Sequence, residues 1–225
     1  MKNEKIFRPD RIFSYFRVEW IPLAFVTLSG LIYNIGLLAT PWFEGRLAQC
    51  LADILSGSEP AAYNGDPAAE SYGEIISCYP IIKALSNYRI AHELLVLGVP
   101  LIPRIITEMA HSETGIDIHP AARIGHHFTI DHGTGVVIGA TCIIGNYVKL
   151  YQGVTLGAKS FPLDENGHPI KGIPRHPILE DHVIVYSNAT ILGRITVGEG
   201  ATVGGNIWVT EDVPAGARLV QKKYK

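Results

Sequence analysis

Aliphatic residues recur every six positions through the second half of this 225-residue chain. They fall at Ile118, Ile124 and Ile130, and resume in a shifted register at Ile138, Ile144, Leu150 and Leu156. They return at Leu179, Val185, Ile191, Val197, Val203 and Val209. Two positions before many of these anchors sits another small or apolar residue: Ala122, Val136, Cys142, Val148, Ala189 and Ala201. Glycine often follows the anchor, as at Gly125, Gly139, Gly145, Gly157, Gly198 and Gly204. Such hexads predict a parallel β-helix. Each hexad supplies a short strand and a turn, and stacked coils bury an aliphatic column that no single hexad could bury alone. Thirteen anchors at three per coil give roughly four coils.

The pattern ahead of the hexads is helical. Apolar residues keep helical spacing through Leu47, Leu51, Ile54 and Leu55, and again through Ile75, Ile76, Ile81, Ile82, Leu85, Ile90, Leu94 and Leu95. Gly57, Ser58, Pro60, Asn64 and Gly65 make a break between the two runs. Asp66-Pro67 then reads as a helix start, with a carboxylate at the N-cap and proline at the first position. Pro100 and Pro103 interrupt the next helix, and Gly115 opens the repeats. The fold class expected is α+β: an α-helical domain over residues 1–112 and a β-helix over 113–225.

Two interruptions of the hexads stand out. Two extra residues shift the register around Asp131-His132-Gly133-Thr134-Gly135, and a longer insertion runs from Lys159 to Arg175. A coil puts its insertions on the outside, where protruding loops carry function.

Charge and cysteine content narrow the partners. A net charge of −2 argues against a general nucleic-acid binder. The cysteines Cys50, Cys78 and Cys142 are odd in number and lack C-x-x-C spacing, which points to a reducing, cytoplasmic setting without a disulfide framework. Cys142 falls in an inward column and reads as a small core filler. From Ile21 to Pro41 there is no charge, and Lys2, Lys5, Arg8, Arg11 and Arg17 precede it, a length able to span a bilayer. Pro22, Thr27, Ser29, Gly30, Asn34 and Gly36 dilute that stretch, so a buried helix is expected rather than a membrane segment.

His132 sits in the register break between close glycines, where the backbone is open to a ligand. Asp117 precedes it by fifteen residues, less than one coil of about eighteen. That offset lets a carboxylate and an imidazole on neighbouring coils meet, the arrangement a general base needs to strip a hydroxyl proton. The plainer alternative is a surface histidine in a turn. Arg175-His176 closes the long insertion, and an arginine at a loop mouth can clamp a carboxylate at two points. A solvated loop charge is the alternative there. His127 and His132 also have H-x4-H spacing, with His176 and His182 on later coils, which raises a zinc site of open-position type. Only Asp131 stands near to orient such ligands, so no metal site is assigned.

Read together, several segments resemble the serine O-acetyltransferase family. They are Asp66-Pro67-Ala68, Tyr88-Arg89-Ile90-Ala91-His92, Thr114-Gly115-Ile116-Asp117-Ile118-His119-Pro120, Asp131-His132-Gly133-Thr134-Gly135, Tyr151-Gln152-Gly153-Val154-Thr155-Leu156-Gly157 and Arg175-His176-Pro177. The resemblance covers about Asp66 to Gly216. It implies a left-handed coil, an exception to the usual crossover rule, and a homotrimer with active sites between subunits, with pairing into a hexamer as the larger alternative. It implies that His132 is the base that deprotonates L-serine as its hydroxyl attacks acetyl-CoA, with Asp117 orienting it. By the same resemblance Asp66 and Asp131 hold the substrate ammonium, and Arg175 and His176 hold its carboxylate side. Acetyl-CoA is a co-substrate, with no permanently bound cofactor, and its pantetheine arm is expected near Ala158, Ser187 and Gly205. The products are O-acetyl-L-serine and CoA, the first step of cysteine synthesis, and L-cysteine is the expected feedback inhibitor.

Departures from the family pattern are visible too. The Lys159–Arg175 loop suits a long-loop subgroup. Tyr186-Ser187-Asn188 stands where many members have Gly-Ala-Gly, and Lys83 replaces a common histidine. The tail Leu219–Lys225 has no terminal isoleucine, so a complex with the sulfhydrylase that consumes the product is not expected. The alternatives carried forward are acetyl transfer to another hydroxyl acceptor, sugar or xenobiotic, and a zinc carbonic anhydrase on the same scaffold.

Overall fold

A computed structural model describes residues 59–221. The helix expected through Leu47, Leu51, Ile54 and Leu55, the uncharged stretch 21–41 and Cys50 lie outside the described residues. Among the described residues four helices come first: α1 (Glu59–Gly65), α2 (Tyr72–Cys78), α3 (Pro80–Val96) and α4 (Ile102–Thr114). Among the described residues no helix is long and apolar enough to cross a membrane.

Asp66 does not start a helix. It follows α1 and opens a turn, in which its carbonyl accepts from the Ala69 N–H at 3.2 Å and its Oδ1 from the Ala68 N–H at 2.9 Å. The cap of α2 is Ser71, whose hydroxyl accepts from the Glu74 N–H at 3.1 Å, while the Glu74 carboxylate accepts from the Glu70 N–H at 2.8 Å. This near-reciprocal cap satisfies the helix start and leaves the second oxygen of Asp66 for another partner.

Helix α3 buries Ile81, Ala84, Leu85, Tyr88 and Ala91, one stripe at 3.6 spacing, whereas Ile76 and Leu95 of the predicted apolar set are exposed. The stripe docks on the first coil. Tyr88 donates its hydroxyl to the Ala122 carbonyl at 2.6 Å, Arg89 donates to the carbonyls of Ile124 and Gly125, and His92 Nδ1 donates to the Pro120 carbonyl at 2.7 Å. The Tyr-Arg-Ile-Ala-His segment therefore acts here as a helix-to-coil clamp. Burial pushes the Tyr88 phenol up to about 12. Gly115, with φ 71, ends α4 in the left-handed conformation that glycine adopts without strain.

From Asp117 the chain winds into a left-handed parallel β-helix of three sheets. The first sheet stacks Asp117–Ile118, Val137–Ile138, Thr155–Gly157, Thr190–Leu192 and Trp208–Val209. The second stacks Arg123–Ile124, Ile143–Ile144, Ile178–Leu179 and Thr196–Val197. The third stacks Thr129–Asp131, Lys149–Tyr151, Ile184–Val185, Thr202–Val203 and Arg218–Leu219. All thirteen hexad anchors are buried, and registers run anchor to anchor: Ile118 with Ile138, Ile138 with Leu156, Leu156 with Ile191, Ile191 with Val209. Each buried aliphatic side chain contributes about 1.5–3 kcal/mol, which offsets the ordering of its short strand.

The helix has close to five coils rather than four. The added coil departs from the period: Val213, four residues after Val209, is buried and bridges to Val197, and Arg218–Leu219 then pairs with Thr202–Val203. Pro214 removes a ladder donor there, so the spacing no longer reads as a hexad. Cys142 is buried, its Sγ donating to the Leu156 carbonyl at 3.6 Å, and burial pushes its thiol up to about 12, as suits a core filler.

Candidate active site

The candidate residues gather in two sets. The first lies where the third sheet turns into the first. Thr129–Asp131 ends the third sheet's lowest strand, and His132 follows with φ 58, a left-handed corner that throws its imidazole into solvent. His132 Nε2 lies 3.7 Å from Asp131 Oδ1. Asp131 Oδ2 lies 3.3 Å from the Lys149 ammonium, which stands one coil above. Asp66 reaches the same place from the helical side. Its Oδ2 accepts from the Tyr79 hydroxyl at 2.5 Å, and Lys149 donates to the carbonyl of the preceding Gly65 at 2.8 Å. The Tyr79 hydrogen bond, then the Ala68 N–H, hold the Asp66 carboxyl below its usual range, with Lys149 and His132 adding smaller attraction. The same bond pushes the Tyr79 phenol up to about 12. Two carboxylates and a histidine thus share one corner, a geometry suited to holding a cation beside a base.

The second set covers the outer face of the first sheet's lowest strands, under α4. Asp117 Oδ1 lies 3.8 Å from Arg104, and its carboxylate forms a group with Glu108 and His111. Arg104 also pairs with Glu108 one helical turn on. His119, next outward residue after Asp117, accepts the Ala121 N–H on Nδ1 at 3.1 Å, and burial, then Arg104, lower its pKa. His176 is buried, and burial followed by the Arg175, His119 and Arg194 charges lowers its pKa to about 4. Its Nδ1 accepts from the Thr141 N–H at 3.1 Å and lies 2.8 Å from the Thr141 hydroxyl. The imidazole is therefore neutral at pH 7, with its proton on Nε2 and available to donate. Arg175 stacks its guanidinium 5.8 Å from the Phe161 ring, and its Nε is buried with no hydrogen-bond partner among the described residues. A buried donor of that kind is costly unless an acceptor arrives.

Thr141 builds this second set. Its hydroxyl accepts from the backbone N–H of Arg175 at 2.9 Å and of His176 at 3.1 Å. The Lys159–Arg175 insertion returns through a tight, exposed turn, in which Asp164 Oδ1 accepts from the Asn166 and His168 N–H groups. Thr141 pins the end of that loop to the coil. Gly139 must stay without a side chain, because a Cβ there would fall 2.2 Å from His176 Nε2.

No hydrogen bond or ion pair joins the two sets among the described residues, and Asp117 is partnered by Arg104 rather than by His132 within the single chain. The residues expected at the pantetheine arm divide in the same way. Ser187 and Gly205 stack on one corner, where the Ser187 carbonyl accepts from the Asn206 N–H at 2.9 Å and a Cβ on Gly205 would lie 3.1 Å from it. Ala158 lies beyond the other end of the first sheet, past Thr155–Gly157.

Of the four histidines weighed as zinc ligands, His132 and His176 fall in different sets and the other two sit elsewhere. His127 and His182 stack on opposite neighbours of one ladder, with Tyr147 between them, at ring separations of 4.3 and 4.9 Å. Among the described residues the group of three possible ligands is Glu108, His111 and Asp117, beside the Arg104 guanidinium.

Sequence reasoning did not single out Lys149, Tyr79, Thr141 or Arg104. Lys149 had only an indirect signal: the two extra residues after Ile130 lengthen this coil to twenty, so the anchors Ile130 and Leu150 align and place Lys149 opposite Thr129, two positions before Asp131. Thr141 had none, because its role depends on where a seventeen-residue insertion returns.

Comparison with known proteins adds a consistent set. No protein-family model matches the chain. A serine acetyltransferase from Bacillus licheniformis is 46% identical over 167 residues, 74% of this chain and 73% of that protein. A plasmid-encoded serine acetyltransferase from Synechococcus elongatus is 59% identical over 181 residues, 79% of this chain, which spans 57% of that relative's length. Among solved structures, Entamoeba histolytica serine acetyltransferase isoform 3 in complex with cysteine has a TM-score of 0.70 at 37% identity, covering 88% of this chain and 72% of that one. Neisseria gonorrhoeae serine acetyltransferase in complex with serine has a TM-score of 0.69 at 31% identity, covering 80% and 69%.

Proposed function

We propose that this chain, which belongs to the serine acetyltransferase family, transfers the acetyl group of acetyl-CoA to the hydroxyl of L-serine. The observation that carries the reading is the opposition of charge between the two sets. Asp66 and Asp131 flank His132 at one corner, and Arg175 with neutral His176 forms the other. A zwitterionic amino acid needs carboxylates at one end and a cation at the other, and a sugar or apolar acceptor needs neither. Serine and cysteine bound to solved relatives of 31% and 37% identity support the substrate class and L-cysteine as an inhibitor of the same site.

In this reading the two sets meet across the boundary between copies of the chain in a homotrimer, and Asp117 approaches His132 there. Each chain then supplies half of two sites. His132 takes the proton of the serine hydroxyl as that oxygen bonds to the thioester carbonyl carbon. Asp117 fixes the imidazole tautomer and steadies the imidazolium. His176 Nε2–H faces the developing oxyanion or the serine carboxylate, and Arg175 grips that carboxylate. Collapse of the tetrahedral intermediate breaks the C–S bond, and the imidazolium returns its proton to the CoA thiolate. O-acetyl-L-serine and CoA leave. The pantetheine arm runs between Ala158 of one copy and Ser187 and Gly205 of the next, where small residues allow close backbone approach. A cytoplasmic location follows from the cysteine usage.

The test is thiol release by purified protein from acetyl-CoA with a panel of hydroxyl acceptors. Release that requires L-serine and falls with added L-cysteine is expected. Equal release with a sugar or a neutral alcohol would refute the zwitterion clamp.

A further inference from the structure

Among the described residues Lys149 is the cation of the acidic corner, and the reaction as described does not use it. Its ammonium donates to the Gly65 carbonyl at 2.8 Å, lies 3.3 Å from Asp131 Oδ2, and stands 4.7 Å from the centroid of the Tyr151 ring. These three contacts come from three parts of the fold. Gly65 ends α1 and directly precedes Asp66, Asp131 ends a strand of the third sheet, and Tyr151 stacks on that strand. Lys149 is 16% exposed and Asp131 15%, so the pair is well shielded and screened less than a surface ion pair. Gly65 leaves room for the ammonium, since a Cβ at that position would fall 3.2 Å from Nζ.

We propose that Lys149 is a positioning residue of the ammonium subsite: it ties the backbone before Asp66 to the Asp131 carboxylate and so sets the spacing of the two carboxylates that receive the substrate amine. The inference rests on the serine reading above. Asp66 is otherwise carried by a turn and by one side-chain bond from Tyr79. A turn at the edge of the helical segment does not by itself keep a register against the coil, and Lys149 provides that tie. Charge alone works the other way. Asp66 and Asp131 carry two negative charges, and with Lys149 the corner holds one net negative charge, a weaker attraction for the substrate ammonium. A higher serine KM on removing Lys149 would therefore report lost positioning rather than lost charge. Lys149 uses Oδ2 of Asp131, and Oδ1 stays on the His132 side, where the substrate amine must lie beside its own hydroxyl. A carboxylate offers about four lone-pair sites, so both cations can be accepted.

The experiment is steady-state kinetics on the full chain with Lys149→Met, Lys149→Gln and Lys149→Arg. Lys149→Met is expected to raise the serine KM by about tenfold, while the acetyl-CoA KM and the kcat at saturating serine change by less than about twofold. Lys149→Arg, which can still reach both oxygens, should restore most of the serine KM, and Lys149→Gln, which keeps only the neutral hydrogen bond, should fall between. The ratio of kcat/KM for serine to that for 3-hydroxypropanoate, its deaminated analogue, should shrink in Lys149→Met. An unchanged or lowered serine KM would overturn the proposal. So would a parallel loss in kcat and both KM values that Arg does not rescue, because that pattern marks a purely structural lysine. Wild-type protein without serine-dependent thiol release would overturn the serine reading itself, and this proposal with it. Active wild type with an indifferent Lys149→Met would overturn this proposal alone.

Discussion

Replacing Thr141 with valine removes one oxygen and keeps the shape. That oxygen accepts from the Arg175 N–H at 2.9 Å and the His176 N–H at 3.1 Å, and meets His176 Nδ1 at 2.8 Å. His176 Nδ1 keeps the Thr141 N–H at 3.1 Å, but the two backbone donors at the loop mouth lose their acceptor. A typical hydrogen bond contributes about 1 kcal/mol net, and a buried donor left unpaired costs about 1–3 kcal/mol. Partial exposure of Thr141 lets water recover some of this. The expected loss is therefore about 2–3 kcal/mol, or roughly 5–10 °C in a melt of a domain this size. The same change frees the backbone that aims Arg175, so the serine KM should rise with it. Thermal melts at fixed protein concentration, paired with serine titrations at saturating acetyl-CoA, read both effects. A loss below about 0.5 kcal/mol with an unchanged serine KM would refute the assignment of Thr141 as the pin of the loop.

Gly139→Ala places a Cβ 2.0 Å from His176 Cδ2; it should displace the imidazole and lower kcat/KM for serine by about ten- to a hundredfold, measured by thiol release. Leu150→Ala empties a fully buried anchor and should cost about 2–5 kcal/mol in a denaturant melt. His176 is held at about 4 against an ordinary 6.5, so between those values the unfolded chain binds more protons. Its contribution is whole above pH 6.5 and is lost as pH falls from there through 4. Denaturant midpoints at pH 7 and 4.5 should differ more for wild type than for His176→Asn, and equal differences would count against a buried neutral ring.

The β-helix was legible because burial in it is strictly periodic: every anchor read from the sequence is a buried side chain, and register follows from the period. The final coil was not, because Val213 and Pro214 break the spacing that counting relies on. The helical segment was half legible. Its apolar residues marked α3, yet Asp66 reads as a helix cap in sequence and is a turn residue in the fold, since Ser71 with Glu74 caps α2 instead. At the candidate site, residue types at loop breaks pointed to His132 and to Arg175-His176, while the roles expected of Asp66 and Asp131 came with the family resemblance. Lys149 and Thr141 escaped because their importance lies in contacts made across coils and across an insertion, and one chain's spacing does not display those contacts. Within the single chain α4 folds back and brings Arg104 to Asp117, a contact that the fifteen-residue separation from His132 does not display.

In the proposed mechanism an acidic half-site carrying the base and a cationic half-site gripping the carboxylate belong to different copies of one chain. Mixed assemblies test it directly. His132→Ala and Arg175→Ala chains, each inactive or nearly so alone, are unfolded together, refolded together and assayed for L-serine-dependent CoA release. Random trimers should regain roughly a quarter of the wild-type rate, because one boundary in four then joins an intact His132 to an intact Arg175. A mixture no more active than its parents would place both half-sites on one chain or remove them from the reaction.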